Sequence, residues 1–411
     1  MVSFINYLKS EKGKVKGLGA VLAGFSAMFS FMGYELMRSS SESIFLSSFS
    51  ASDKVYALAL TPIFLMFIIY AYGFTLSKLG SRKTMIIYFG FVIFSLSFFY
   101  FFSSHKISFA AFSILVFKEA YVVVLSEMYW SYINSVIDRD EAKIINGPVA
   151  GLGALGSVIG GYIVSRFAVK FSSETMILFS SLILFPAVLL FVYSYKLTGE
   201  PKPSEDEAGG KKGHLHFSIL FENKVLIIMA IMVFLSQIVS TLSDLNFTGY
   251  VKSEIPDKDL RTAYLGGFWT RVNIVSFTMQ FLITPLILKR VKIKYVLFFI
   301  PLIHLSTSFY SFIHPSLFSA SLVFLVFKSM DYSIYRASKE ILYIPFSYDT
   351  RYRAKQIVDA FTYRFSKGFT SSVLSVLNIA SVSYYKFIIP MIMIVSVLWS
   401  LAVSGIKEKD Q

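Results

Sequence analysis

The chain has 411 residues, of which 55% are hydrophobic, 17% aromatic and only 16% charged, with a mean hydropathy of +0.63. Soluble domains carry about 25% charged residues, so the composition excludes an ordinary soluble fold and indicates a polytopic membrane protein. The formal net charge of +14 does not imply a nucleic-acid partner, because Lys and Arg fall in short clusters between apolar runs, as the cytoplasmic loops of membrane proteins require.

Cysteine is absent, which removes disulfides and thiolate metal sites. His214 and His216 lie in a polar linker and read as solvated loop residues, and no metal or cofactor is expected. The chain also has no Gly-x-x-x-x-Gly-Lys-Ser/Thr phosphate loop, no His-Glu-x-x-His and no Gly-x-Ser-x-Gly, so neither ATP hydrolysis nor another enzyme activity is expected.

The basic start (Lys9, Lys12, Lys14, Lys16) leads into an apolar run too long for the core of a signal peptide, and a retained first helix is predicted. Runs of about 20 apolar residues, the length that crosses a bilayer, occur near 17–36, 55–76, 84–103, 108–137, 147–167 and 174–196. They resume near 223–245, 263–288, 294–313, 316–340, 356–380 and 383–404. This predicts an all-α membrane protein of about 12 transmembrane helices. It divides into an N-terminal six-helix half (1–196), a Pro-, Gly- and charge-rich cytoplasmic linker (197–222) and a C-terminal six-helix half (223–411). Alternate connections carry the basic clusters, among them Lys78/Arg82/Lys83, Arg139/Lys143, Lys289/Arg290/Lys292/Lys294 and Arg351/Arg353/Lys355, so both termini are expected in the cytoplasm.

Asn146-Gly147-Pro148 is expected to start the fifth helix. Gly147/Gly151 and Gly156/Gly160 are small-residue pairs at a spacing that lets helices approach closely.

The halves echo each other. Glu127-Met-Tyr-Trp, Asp138 and Ala142-Lys143 recur as Glu340-Ile-Leu-Tyr, Asp349 and Ala354-Lys355, with Lys143 and Lys355 lying 212 positions apart. Two parallel six-helix repeats resemble the major facilitator class of transporters. The stretch Gly73-Phe-Thr-Leu-Ser77-Lys-Leu-Gly80-Ser-Arg82-Lys83 resembles that class's loop signature, with Ser77 where an Asp is usual.

Charges inside spans cost roughly 2.5–3.5 kcal/mol each on an insertion scale and mark function or pairing. On the tenth helix Lys328, Asp331, Tyr335 and Lys339 share one face by spacing, with Lys328 and Asp331 able to pair. The fourth helix carries Lys118, Glu119 and Glu127, and the eleventh carries Asp359, Arg364 and Lys367, with Gly368 allowing close approach. Arg38 with Glu35 and Glu42, Asp244 and Arg271 complete the set. So many cations suit a multiply charged anion, guanidinium forks favouring phosphate or carboxylate. The expected substrate-binding residues are Arg38, Lys118, Glu127, Asp244, Lys328, Asp331, Arg364 and Lys367. Those expected to gate or couple are Glu42, Glu119, Arg271, Lys339, Glu340 and Asp359.

Glu127-Met-Tyr-Trp with the Gly-rich helix, Ser338-Lys-Glu-Ile-Leu-Tyr-Ile-Pro345 and Ala354-Lys-Gln-Ile-Val-Asp359 through Lys367-Gly368 resemble the ATP/ADP carrier family of plastids and intracellular bacteria. That family has a Lys-Glu-Met-Ala-Tyr-Ile-Pro-Leu segment and a Lys-Ala-x-x-Asp segment. The resemblance implies twelve helices and secondary transport of a nucleotide or related phosphorylated metabolite by alternating access, often as an antiporter. The partners expected are a small anionic solute and the lipid of a bacterial inner membrane, with the protein as a monomer.

Two charges depart from the family pattern. Arg38-Ser-Ser-Ser41-Glu42 lacks a family Lys at Ser41, and Asp331 replaces another, which argues against a substrate as anionic as ATP. A proton-coupled symporter or exporter of a different small solute is the alternative, with Glu119, Asp244 or Asp331 as the titrating acid.

Overall fold

Without water, a spanning backbone must be satisfied by hydrogen bonds within helices or between the strands of a closed barrel, and the apolar runs here form helices. The computed structural model describes residues 11–200, 220, 223–346 and 354–406, and only the backbone of 11–13, 139, 140, 143, 356 and 360. Most of the 197–222 linker, with His214 and His216, lies outside the described residues, as do Asp349, Arg351 and Arg353.

Eleven helices among the described residues are long and apolar enough to cross a membrane. The first six are α1 (Glu11–Ser48), α2 (Lys54–Leu79), α3 (Ser81–Ser104), α4 (Ser108–Val136), α5 (Arg139–Phe171) and α6 (Ser173–Thr198). After the linker come α7 (Lys224–Glu254), α8 (Lys258–Arg290), α9 (Ile293–Ile313), α10 (Leu317–Leu342) and α12 (Tyr385–Ser404). The remaining expected span is also helical: a π-helical turn, Gln356–Thr362, runs into α11 (Tyr363–Ile379), and it is the stretch that carries Asp359, Arg364 and Lys367. The chain is thus a multi-pass membrane protein.

One expected boundary is wrong. The fifth helix starts at Arg139, with Pro148 inside it rather than at its first turn. The helix begins early because Asp138 precedes it and the Glu141 carboxylate accepts the Asp138 N–H at 2.9 Å, the reciprocal half of a capping box.

The chain forms two compact units. The first comprises Met1–Phe49, Ile63–Gly210 and Asp257–Thr270, and the second Ser50–Pro62, Lys211–Pro256 and Arg271–Gln411. Two helices therefore change unit along their length: α2 after Pro62 and α8 after Thr270.

In the first unit α1 packs against α4, α5 and α6. Its contact with α5 depends on glycine: a Cβ on Gly156 would lie 2.0 Å from the Met28 carbonyl oxygen, and one on Gly160 would lie 2.5 Å from that of Met32. The other expected pair does not act this way, for nothing lies within 4 Å of a Cβ at Gly147 or Gly151. Hydroxyls tie the same helices together where the surroundings offer no water. Ser26 and Ser30 meet the Tyr129 hydroxyl at 2.6 and 2.8 Å, and Ser180 donates to the Gly33 carbonyl at 2.6 Å.

In the second unit α7 packs against α10, α11 and α12. Trp399 is buried at its centre, with the rings of His304 and Tyr335 against it at 5.8 and 5.2 Å. Helical register changes to π at Met279–Ile283, Asp331–Tyr335 and Gln356–Thr362, all in this unit. Such turns inside α-helices occur frequently at functional sites.

Candidate functional site

In the first unit the intramembrane charges are already opposed. Arg38, Ser41 and Glu42 sit near the C-terminal end of α1, and Lys118 projects from mid-α4 because it shares a face with the buried Ile114 and Tyr121. The Lys118 ammonium lies 2.8 Å from Glu42, with only 6% and 9% of the two side chains exposed, and 3.9 Å from Glu119. Arg38 is 3.3 Å from Glu35, and its guanidinium lies over the Trp269 ring at 3.1 Å. Arg261, buried at the start of α8, donates to the Ser43 carbonyl at 3.3 Å. Glu127, by contrast, is exposed and far along α4 from Glu119. Ser41 donates to the Arg38 carbonyl within its own helix.

The second unit arranges its charges differently. Asp244 on α7 pairs at 2.9 Å with Lys54, a buried side chain from the first turn of α2 that also donates to Thr248 at 2.9 Å. Lys339 pairs with Asp359 at 2.6 Å, and Lys355 with Glu340. These last two pairs lace the end of α10 to the turn before α11. Lys328 donates to Ser240 at 3.1 Å and faces the rings of Phe324, Phe327 and Tyr332 at 5.5–5.6 Å. Lys328 and Asp331 form no ion pair among the described residues. The polar stripe expected along α10 is interrupted, since the π turn carries Tyr335 into the core. Arg364 and Lys367 are half-buried on α11, where Gly368 lets the helix approach Pro62, a Cβ there lying 3.0 Å from its ring. Arg271 is exposed.

The echo between Glu127 and Glu340 is not one of contacts: Glu340 has Lys355, while the side chain of Lys143 lies outside the described residues. In the loop signature, Gly80 adopts φ +79, which favours glycine. Where an Asp is usual, Ser77 bonds only its own helix, at the Phe74 carbonyl. The carboxylate that meets the N-terminus of α3 is instead Glu200, which accepts from the Arg82 N–H at 3.1 Å and the Ser81 hydroxyl at 3.3 Å.

Sequence reasoning missed Lys54, Ser240, Trp269 and Glu200. Lys54 follows Ser50-Ala-Ser-Asp53 and reads as a loop charge; only its burial on α7 marks it out.

The sequence profile of the family described as TLC ATP/ADP transporter matches residues 320–409, a range that holds Lys328, Asp331, Lys339, Glu340, Asp359, Arg364 and Lys367. The chain resembles the ATP/ADP transporters. The ADP,ATP carrier protein 2, chloroplastic, of Arabidopsis thaliana is 23% identical over 273 residues, covering 58% of this chain and 44% of the carrier. The match thus spans less than half the length of that relative. Among solved structures, a mutant of the nucleoside transporter NupG superposes with a TM-score of 0.71 at 15% identity, over 94% of this chain and 99% of that one. A D-xylose-proton symporter superposes with a TM-score of 0.68 at 13% identity, over 95% and 98%. The fold is therefore the major facilitator fold, and the proteins that resemble this chain are transporters rather than enzymes.

Proposed function

We propose that the chain is a secondary transporter that moves a nucleotide or a related phosphorylated metabolite by alternating access. The observation that carries this reading is the coincidence of family match and charge placement. The matched stretch 320–409 holds the intramembrane cations Lys328, Arg364 and Lys367, and its two most family-like segments are tied together by Lys339–Asp359 and Lys355–Glu340.

In the second unit Lys328, Arg364 and Lys367 would bind the anion, Asp331 would take part in the same binding, and Arg271 would gate or couple. Lys339, Glu340 and Asp359 would hold or release the end of α10, and Asp244 would hold the start of α2 through Lys54. In the first unit Arg38 and Lys118 are balanced by Glu35, Glu42 and Glu119, so they would act on substrate by exchanging partners. Glu127, exposed on α4, would line the route. The setting is a bacterial inner membrane with both termini in the cytoplasm, and the working form is a monomer with no nucleic-acid partner.

Purified protein in proteoliposomes tests the proposal. Labelled AMP, ADP or ATP should enter against the same unlabelled compound inside, and Lys328→Ala should slow that exchange. Protein-dependent flux of none of them would refute it.

A further inference from the structure

Lys328 and Asp331 stand three residues apart on one helix, a spacing at which an ammonium and a carboxylate readily meet. They do not close. The ammonium is turned to the Ser240 hydroxyl and three aromatic faces, and the carboxylate has neither a hydrogen bond nor an ion pair among the described residues. Three other cations of this unit with a carboxylate in reach have taken it: Lys54 on Asp244, Lys339 on Asp359 and Lys355 on Glu340. What differs at Asp331 is the backbone, which changes from α to π at that residue and so alters the direction in which successive side chains leave the helix.

The charges that act on Asp331 are those of Lys328, Lys339 and Arg336, all on its own helix. Elements packed around this stretch contribute little that titrates. From α7 come Ser236, Gln237 and Ser240, while its one mid-span acid, Asp244, is engaged by Lys54. The π turn of α8, Met279-Gln-Phe-Leu-Ile283, has no ionisable side chain. From α9 comes His304, its ring against Phe327 at 5.1 Å. Before α11, Asp359 is engaged by Lys339. With Lys339 engaged by Asp359, Lys328 is the lysine beside Asp331 whose charge is not already taken by a carboxylate among the described residues, so the charge state of Asp331 responds to whether the Lys328 charge is available to it.

We infer that Asp331 carries a proton through the transport cycle and that Lys328 controls it, making the protein a symporter of an anionic solute and a proton. The inference rests on the transport reading above. With Lys328 unoccupied, its positive charge favours the Asp331 carboxylate. When the anionic group of the solute takes Lys328, that support is cancelled, and an unpaired carboxylate inside a span binds a proton rather than remain charged. Solute and proton cross together. When the solute leaves, the Lys328 charge returns, the O–H bond of Asp331 breaks and the proton departs on the same side. By linkage, protonation strengthens solute binding by the factor with which the solute strengthens protonation.

The test uses proteoliposomes holding a pH-sensitive dye, with labelled AMP, ADP and ATP as probes. For whichever probe the protein exchanges, an inward proton gradient should drive its accumulation, an uncoupler should abolish that accumulation, and adding the probe outside should acidify the lumen. Asp331→Asn should lose the gradient-driven accumulation and the acidification, so that any flux it keeps no longer responds to pH, and Asp331→Glu should restore both. Exchange by the wild type with no response to the gradient and no acidification would overturn the inference and leave the transport reading standing, as would an Asp331→Asn protein driven as strongly as the wild type. If the wild type moves none of the probes, the transport reading falls first and this inference with it.

Discussion

Replacing Lys118 with methionine is expected to destabilise the first unit more than any other single charge removal in it. The ammonium and the Glu42 carboxylate are 2.8 Å apart and less than a tenth exposed, so at an effective dielectric of about 20 their attraction is about 6 kcal/mol. Most of that offsets the desolvation of two ions, which is why the pair adds little net stability over an apolar replacement, whereas removing one partner strands the other at a cost of about 3–5 kcal/mol. Lys118→Met takes this ammonium from both Glu42 and Glu119. Glu42→Gln is milder, because the ammonium keeps Glu119 at 3.9 Å on a side chain that is 26% exposed. For a unit of this size about 2–4 °C is lost per kcal/mol. The unfolding midpoint of the detergent-solubilised protein should therefore fall by about 10 °C in Lys118→Met, by less in Glu42→Gln, and recover most of the loss in the double variant. A Lys118→Met protein as stable as the wild type, or a double variant no better than Lys118→Met, would refute the pairing.

The two glycine pairs of α5 should behave oppositely. Gly156→Ala forces a methyl against the Met28 carbonyl and should cost about 1–3 kcal/mol or more. Gly151→Ala meets nothing within 4 Å and should stabilise the helix by roughly 0.5–1 kcal/mol, both read as unfolding midpoints. Lys54→Met should leave Asp244 without its 2.9 Å partner. The expected result is a loss of about 3 kcal/mol or more of stability, largely restored by adding Asp244→Asn, with the double-variant cycle as the check.

The helices and the membrane were legible in the composition alone, because a bilayer allows a chain this apolar few folds other than helices of spanning length. The tenth and eleventh helices announced themselves in the same way, through a Lys-Glu-x-x-Tyr-Ile-Pro segment and charges where lipid penalises them. The sequence could also say that Lys118, Lys328 and Asp331 needed partners. It could not say which, because partners on different helices are chosen by packing. Glu42 rather than Glu127 reaches Lys118, and Asp244 turns to Lys54, a residue that reads as loop.

Local spacing misled in the same places. Pro148 lies inside a helix because the cap at Asp138 and Glu141 starts it early, and Gly147 and Gly151 face open space while Gly156 and Gly160 touch α1. The Lys328–Asp331 spacing promises an ion pair that a change of helical register at Asp331 leaves open. Composition and periodicity are properties of a segment and survive in the sequence, whereas the pairing of buried charges depends on which side chains the tertiary fold brings within about 4 Å.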